Sequence, residues 1–339
     1  MPGTVRIAGA GLAGLVAANV LARAGRSVEV YEKKSRLLPS SGPHTEGIRN
    51  YGATDAVTEL ATVGFDLKPF QTVRRTIRRS PNYRNVLHGP AYYLFMRGRE
   101  EHTVDQILYR DAKAHGAVFH FGKALEASEA DIAATGPPSQ RSNILGTGYT
   151  FTTEGSPLEP DTVYALLDNT VSPGGYLVIT PGIGFNSIYS VSWKELRFER
   201  LLAMTEAAFE LPWIRELLGT SRRVAKIHGR AYYAEDPISE AIRGTTLLVG
   251  EAGGFQDAIA GFGFRFAVLS GGLAAIAIRD GQDYRELLRE RFGKEFQDAF
   301  GFRIWLDRAS NDDFDKLVAS MGNEITLETY LRQRGARAL

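Results

Sequence analysis

The feature that most constrains this chain lies near its start. Val5-Arg6-Ile7-Ala8, a short apolar strand, runs into Gly9-Ala10-Gly11-Leu12-Ala13-Gly14 and then into a helix over residues 12–24. A G-x-G-x-x-G turn between a strand and a helix is a seat for a pyrophosphate. Gly9 permits the tight turn, Gly11 lets the backbone approach phosphate, and Gly14 lets helix and strand pack closely, while the first helical turn offers free N–H groups and a positive dipole end. A second strand, 26–32, ends in Glu32, eighteen positions after Gly14. A carboxylate there accepts the hydroxyls of an adenosine ribose and repels a 2′-phosphate. Of the bases that follow, Lys33 is expected near phosphate and Lys34 and Arg36 in solvent.

With 339 residues the chain can build one large or two medium domains around a real core. Lys and Arg number 40 against 39 Asp and Glu. That balance gives no electrostatic case for nucleic acid or for an anionic membrane, and any membrane contact is expected to be at most peripheral. The absence of cysteine removes disulfides, thiolate metal sites and cysteine nucleophiles together. His115 and His120 have no third ligand at metal spacing, so no metal site is expected. The apolar N-terminus lacks a basic leader and its glycines fall on the dinucleotide spacing, which makes the cytoplasm the expected compartment.

Further along, the Pro39-Ser40-Ser41-Gly42-Pro43 turn closes the first βαβ unit, and a strand over 44–51 and a helix over 54–63 follow. Arg74, Arg75, Arg78 and Arg79 alternate with Val73, Thr76 and Ile77, the pattern of an edge strand with one wet face. A strand over 92–96, a helix over 103–115 and a strand over 117–121 come next. The small residues 130–136 are expected to form a strand whose end, Thr135 and Gly136, lies against a ligand. From about residue 147 the texture changes to successive strands (149–153, 162–167, 175–180, 186–192, 222–232) with one helix over 194–209. This is expected to be a separate, largely antiparallel sheet, with Tyr176, Phe185, Tyr189, Trp193, Tyr232 and Tyr233 as candidates to line a cavity. At 246–251 a buried strand ends in Gly250 and Glu251. Gly261-Phe262-Gly263 then leads into a helix from Phe264 to Arg279, whose N-terminus points at the same cleft. Leu288, Phe292, Phe296, Phe300 and Ile304 form an apolar stripe expected to pack on the body of the protein.

These elements in this order resemble the FAD-dependent oxidoreductases that include aromatic hydroxylases and geranylgeranyl reductases, most closely the reductase branch. Residues 130–141, ADIAATGPPSQR, look like the central motif of that group with Thr135 in place of its aspartate. Residues 247–263 look like its third motif with Glu251 for aspartate and Ala258 for proline, and Pro173-Gly174-Gly175-Tyr176 looks like its strand pair beneath the flavin. The resemblance implies an α/β fold: a Rossmann-like FAD-binding domain (1–70, 92–148, 243–285), an inserted, mainly antiparallel substrate domain (71–91, 149–242) and a helical C-terminus (286–339). It also implies FAD held by Gly9 to Gly14, Glu32, Lys33, Thr135, Gly136, Gly250, Glu251, Gly261, Phe262, Gly263 and Phe264. A ligand that reaches a second acid and a second helix N-terminus far downstream is long and two-ended, which suits FAD better than NAD.

With no second G-x-G-x-x-G, the expected reductant is transiently bound NAD(P)H or an electron-donor protein. The first expectation for function is hydride transfer from reduced flavin to a C=C bond of a small apolar substrate, possibly isoprenoid, with Tyr176 as a candidate proton donor. The alternatives are a flavin monooxygenase acting on an aromatic or polyketide-like ring, and a degenerate FAD-binding module without redox turnover. No W-x-W-x-I-P-like stretch is present, so halogenation is not expected.

Overall fold

Alternating burial and chain connectivity build two sheets that face one another. The computed structural model describes residues 3–37, 43–138 and 140–337, with side chains described as far as residue 333. The turn at Pro39 to Gly42, and Ser139 of the central motif, lie outside these residues.

The chain begins with β1 (Val5–Ala8), α1 (Leu12–Arg23) and β2 (Val28–Glu32). Helix α1 is buried on every side from Leu12 to Ala22 because its residues are small or aliphatic. Its one interior amide, Asn19, gives its Nδ2 to the carbonyls of Leu15 and Leu108 at 2.9 and 2.7 Å, so burial leaves that donor group satisfied. Strand β3 (His44–Arg49) precedes α2 (Ala56–Ala61), whose free N–H groups are capped by the Asp55 carboxylate. Strands β4 (Gln71–Arg79) and β5 (Arg84–Arg97) make a long hairpin, and α3 (Val104–Ala114) and β6 (Val118–Phe121) return the chain to the first sheet. There follow β7 (Ile132–Ala133), β8 (Ile144–Thr152), β9 (Thr162–Leu166), β10 (Tyr176–Pro181), β11 (Phe185–Ser192), α4 (Phe198–Ala208), α5 (Pro212–Leu218) and β12 (Arg223–Ala231). The chain closes with α6 (Pro237–Glu240), β13 (Ile242–Arg243), β14 (Thr246–Leu248), α7 (Phe264–Asp280), α8 (Tyr284–Phe292), α9 (Glu295–Arg308), α10 (Asn311–Ala319), β15 (Glu324–Thr326) and α11 (Leu327–Arg337).

The first sheet has the order β13-β14-β7-β1-β2-β6 and is parallel apart from β13. The second has nine strands in the order β12-β8-β11-β10-β9-β4-β5-β15, with β3 also paired to β5. It is antiparallel except where β4 meets β9 and β15 meets β5. A Rossmann-like unit, a mainly antiparallel sheet and C-terminal helices are therefore all present. Strand β5 runs unbroken through residues 92–97, so the second sheet draws on β3 and all of β5 as well as on β4 and β8–β12.

Four local expectations are corrected. Strand β4 is not an edge strand, because β5 and β9 bond it on both sides. Its arginines stay solvent-compatible by lying on aromatic rings: Arg78 is 4.4 Å from the Tyr330 ring centroid and Arg79 is 4.7 Å from that of Trp213. The 130–136 stretch is strand only at Ile132 and Ala133, since Thr135 and Gly136 turn away from the sheet. The 246–251 strand ends at Leu248, and Gly250 and Glu251 belong to a 3-10 turn. The C-terminal stripe is interrupted at Gly293, whose φ of +48° ends α8. Leu288, Phe292 and Phe296 are buried, but α9 then turns Arg303 inward and leaves Ile304 exposed.

Candidate functional site

The C-terminal ends of β1, β7 and β14 open on one face of the second sheet, and a cleft of about 800 Å³ lies between them. In an open α/β sheet this is the edge at which ligands bind. One end of the cleft is the glycine turn. Gly9 has a φ of +99°, and a Cβ there would stand 2.3 Å from the Ala134 carbonyl oxygen. A Cβ at Gly14 would stand 2.1 Å from the Gly9 oxygen, so strand, loop and helix touch backbone to backbone. No side chain caps α1, and Gly11, Leu12 and Ala13 line the cleft beside its first turn. The Glu32 carboxylate accepts from the backbone N–H of Ala10 and of Lys34, both at 2.9 Å. It thereby fixes the turn from the second strand.

The other end of the cleft is built by residues 249–264. Gly250, Glu251, Gly261, Phe262, Gly263 and Phe264 all line it, and α7 likewise begins without a side-chain cap. Two uncapped helix N-termini thus bound one cavity, and each favours negative charge. The 256–263 loop is held from all sides. Asp257, 1% exposed, pairs with Arg49 at 2.6 Å. Tyr92 stacks on Phe262 with ring centroids 5.7 Å apart, and the Tyr176 hydroxyl donates to the Ala260 carbonyl at 2.5 Å. Beneath the loop, a Cβ at Gly261 would lie 3.5 Å from the Trp193 ring.

Between these ends the wall is charged, and sequence reasoning missed most of it. Arg97, almost fully buried, donates through Nη1 to Glu46 at 3.0 Å and through Nε and Nη2 to Asp105 at 2.8 and 2.7 Å. Burial pushes the Glu46 carboxyl up, but Arg97 and His44 outweigh it and hold it at about 2. Glu251 has no such partner. Burial first, and the Glu46 charge second, push it up to about 8 against the weaker pull of Arg97. Among the described residues its carboxyl accepts from Gln256 Nε2 alone, at 3.2 Å. Two carboxyls of one cleft therefore sit in opposite protonation states at neutral pH. The available signal for Arg97 was the acid eight residues on, Asp105, across a helix N-terminus.

Of the other sequence candidates, Gly136 lines the cleft whereas Lys33 and Thr135 are exposed outside it. Tyr176, Phe185 and Tyr189 line the cleft; Trp193, Tyr232 and Tyr233 do not. The Tyr176 hydroxyl is committed to Ala260, and burial pushes its pKa well above 10. Tyr189 faces the cleft with a hydroxyl that meets no hydrogen-bond partner among the described residues, and burial, reinforced by Glu46, pushes it up to about 12. Around it the wall is small and apolar: Ile144 and Gly146 on β8, Val191 on β11, and Ile227 and Gly229 on β12. Among the described residues no group of His, Asp and Glu could hold a metal ion.

The family whose model matches is the NAD(P)-binding Rossmann-like domain, over residues 7–54. A geranylgeranyl bacteriochlorophyll reductase-like protein from Thermoplasma acidophilum superposes with a TM-score of 0.76 at 18% identity, covering 96% of this chain and 94% of its own. The chain has the fold of that protein. A variant of a flavin-dependent brominase gives a TM-score of 0.62 at 17% identity over 94% of each chain. A flavoprotein/dehydrogenase from Cytophaga hutchinsonii gives 0.58 at 16%, covering 89% of this chain and 84% of its own. No curated protein matches the sequence.

Proposed function

We propose that this protein is a FAD-dependent oxidoreductase that transfers hydride to a C=C bond of an apolar substrate. The observation that carries the reading is the single cleft bounded by two uncapped helix N-termini at one side and by a small-residue apolar sheet face at the other. A dinucleotide with two phosphates and an electron-accepting ring matches the first part, and an apolar reactant matches the second. The likeness to reductase-like and flavin-dependent proteins supports the same cofactor.

The residues present fit that group. The backbone of Gly11, Leu12 and Ala13 offers the close, side-chain-free approach a pyrophosphate needs, and Glu32, outside the cleft lining, accepts from Ala10 N–H beside the turn and is the residue proposed to meet the ribose. When bound, FAD supplies the hydride chemistry, and the protein supplies orientation, dryness and charge. The α7 N-terminus favours negative charge on whatever lies against Gly263. A protonated Glu251 adds no second negative charge to the cleft and is able to donate a hydrogen bond to a bound ligand. Addition of hydride to an alkene leaves one carbon to be protonated, and the Tyr189 hydroxyl, which lines the cleft and meets no partner among the described residues, is the proposed proton donor. Transient NAD(P)H is the proposed reductant.

The test is a spectrum of the purified protein followed by anaerobic mixing of the reduced form with an alkene substrate. Flavin absorbance and alkene-dependent reoxidation without oxygen are expected. A colourless protein that takes up no added FAD would sink the reading, and turnover that strictly requires O₂ would replace it with the monooxygenase.

A further inference from the structure

The cleft has one flank that nothing in the flavin reading uses. Strand β12 is an edge of the second sheet, paired only to β8, and residues 224–231 line the cleft along its length. Its register separates two rows. Ala225, Ile227, Gly229 and Ala231 stand opposite Thr150, Gly148, Gly146 and Ile144. Because the alternate residues Lys226 and His228 meet the Phe198 ring of α4 on the other face, strand alternation turns this row toward the cleft. Residues 219–234 carry Arg222, Arg223, Lys226 and Arg230 and no acid, in a chain whose remaining residues are net negative. Among the described residues only Arg223 of these has an acidic partner, Glu206 at 3.2 Å.

Two large apolar side chains stand in water at the same end of this sheet. Val224, in the irregular step of β12, is 60% exposed, and Ile183, in the 182–184 turn between β10 and β11, is 50% exposed. Both line the cleft, so its mouth is rimmed by apolar groups with basic groups on the opposite face of the same strand. A bilayer presents those two environments in that order, hydrocarbon and then headgroup phosphate. An acidic protein surface would complement the charges but would leave the apolar rim unmatched.

We propose that the β12 edge and the 182–184 turn form an interfacial rim that docks on an anionic bilayer surface. The corollary that an apolar substrate enters the cleft directly from that bilayer rests on the function proposed above; the docking does not. No helix among the described residues is long and apolar enough to cross a membrane, so the contact is a surface one.

The experiment is co-sedimentation of the purified full chain with vesicles of phosphatidylcholine alone and of phosphatidylcholine mixed equally with phosphatidylglycerol. It reads binding without turnover, so its failure is distinct from failure of the flavin assignment. Binding to the anionic vesicles only is expected, weakening with added salt and falling roughly fivefold for each of R222Q and K226Q. I183S and V224S are expected to weaken it as well. R279Q, at the far end of α7 and paired with Asp280, is expected to change nothing. Absence of pelleting with anionic vesicles overturns the proposal and leaves the strand to an acidic protein. Anionic binding unmoved by all four rim substitutions overturns it too.

Discussion

Glu251 is the residue whose chemistry is most specific to this chain. Its folded-state pKa of about 8 stands above the ordinary 4.5, so the folded protein binds this proton more tightly than the unfolded chain does. The sign follows directly: this group's contribution to stability is fully present below about pH 4.5 and is lost as pH rises to about 8. Ionisation also places a second negative charge beside Glu46 in a cleft proposed to hold a diphosphate. FAD affinity is therefore expected to fall as pH rises through 8, and E251Q should bind with a flat pH profile; titration by flavin fluorescence quenching across pH 6–10 reads both. Gly14 makes a different demand, because a methyl there meets the Gly9 oxygen at 2.1 Å. G14A is expected to cost about 1–3 kcal/mol and to abolish flavin retention, measured by melting and by absorbance. Tyr189 tests the proton. Y189F should lower turnover about a hundredfold while leaving flavin affinity and melting temperature in place.

At the scale of elements, α9 carries an arrangement that the periodic stripe concealed. Arg303 is wholly buried, donates to the Gly174 carbonyl at 2.6 Å, pairs with Asp307 at 2.9 Å and lies 4.6 Å from the Trp193 ring centroid. Among the described residues its Nε and Nη1 find no partner, and burial lowers its pKa. A buried cation so incompletely paired stabilises little for its desolvation, so R303M should leave the melting temperature almost unchanged. R303A, which empties the space beside Trp193, should cost about 3 kcal/mol in denaturant titration. The sequence made the strand–turn–helix elements legible because their signals are local: glycine spacing, an acid at a strand end, apolar periodicity. It misassigned β4 and the end of the stripe because both depend on distant partners. Arginine–aromatic stacking made a central strand look wet, and a single glycine, Gly293, shifted the helical register by enough to turn a charged residue inward. For the same reason the motif ends of the cleft were readable while its charged middle was not. Glu46 and Arg97 acquire meaning only when β3 and β5 pair, which sets Glu46 opposite Phe95.

At the scale of the whole molecule the question is whether the two sheets act as one unit around the cleft. The glycine turn belongs to the first sheet, whereas Tyr189 and the apolar wall belong to the second, and the 256–263 loop, which follows β14 of the first sheet, is held by Arg49 of β3 and Tyr176 of β10 in the second. All 3 tryptophans lie away from the first sheet: Trp193 after β11, Trp213 in α5 against Tyr164, and Trp305 in α9. Tryptophan fluorescence therefore reports on the second sheet and the C-terminal helices alone. A ligand seated only on the glycine turn would stabilise the first unit and leave that signal unmoved. A ligand that spans the cleft binds both, and saturation at about a hundredfold above its dissociation constant contributes about 2.7 kcal/mol to the folded state as a whole. For a chain of this size that is a shift of several degrees. The tryptophan-monitored melting temperature should rise with added FAD in step with the far-ultraviolet signal, and Trp193, packed under Gly261, should be quenched on binding. A far-ultraviolet transition that shifts while the tryptophan transition stays fixed would confine the nucleotide to the first sheet and separate the apolar cavity from it.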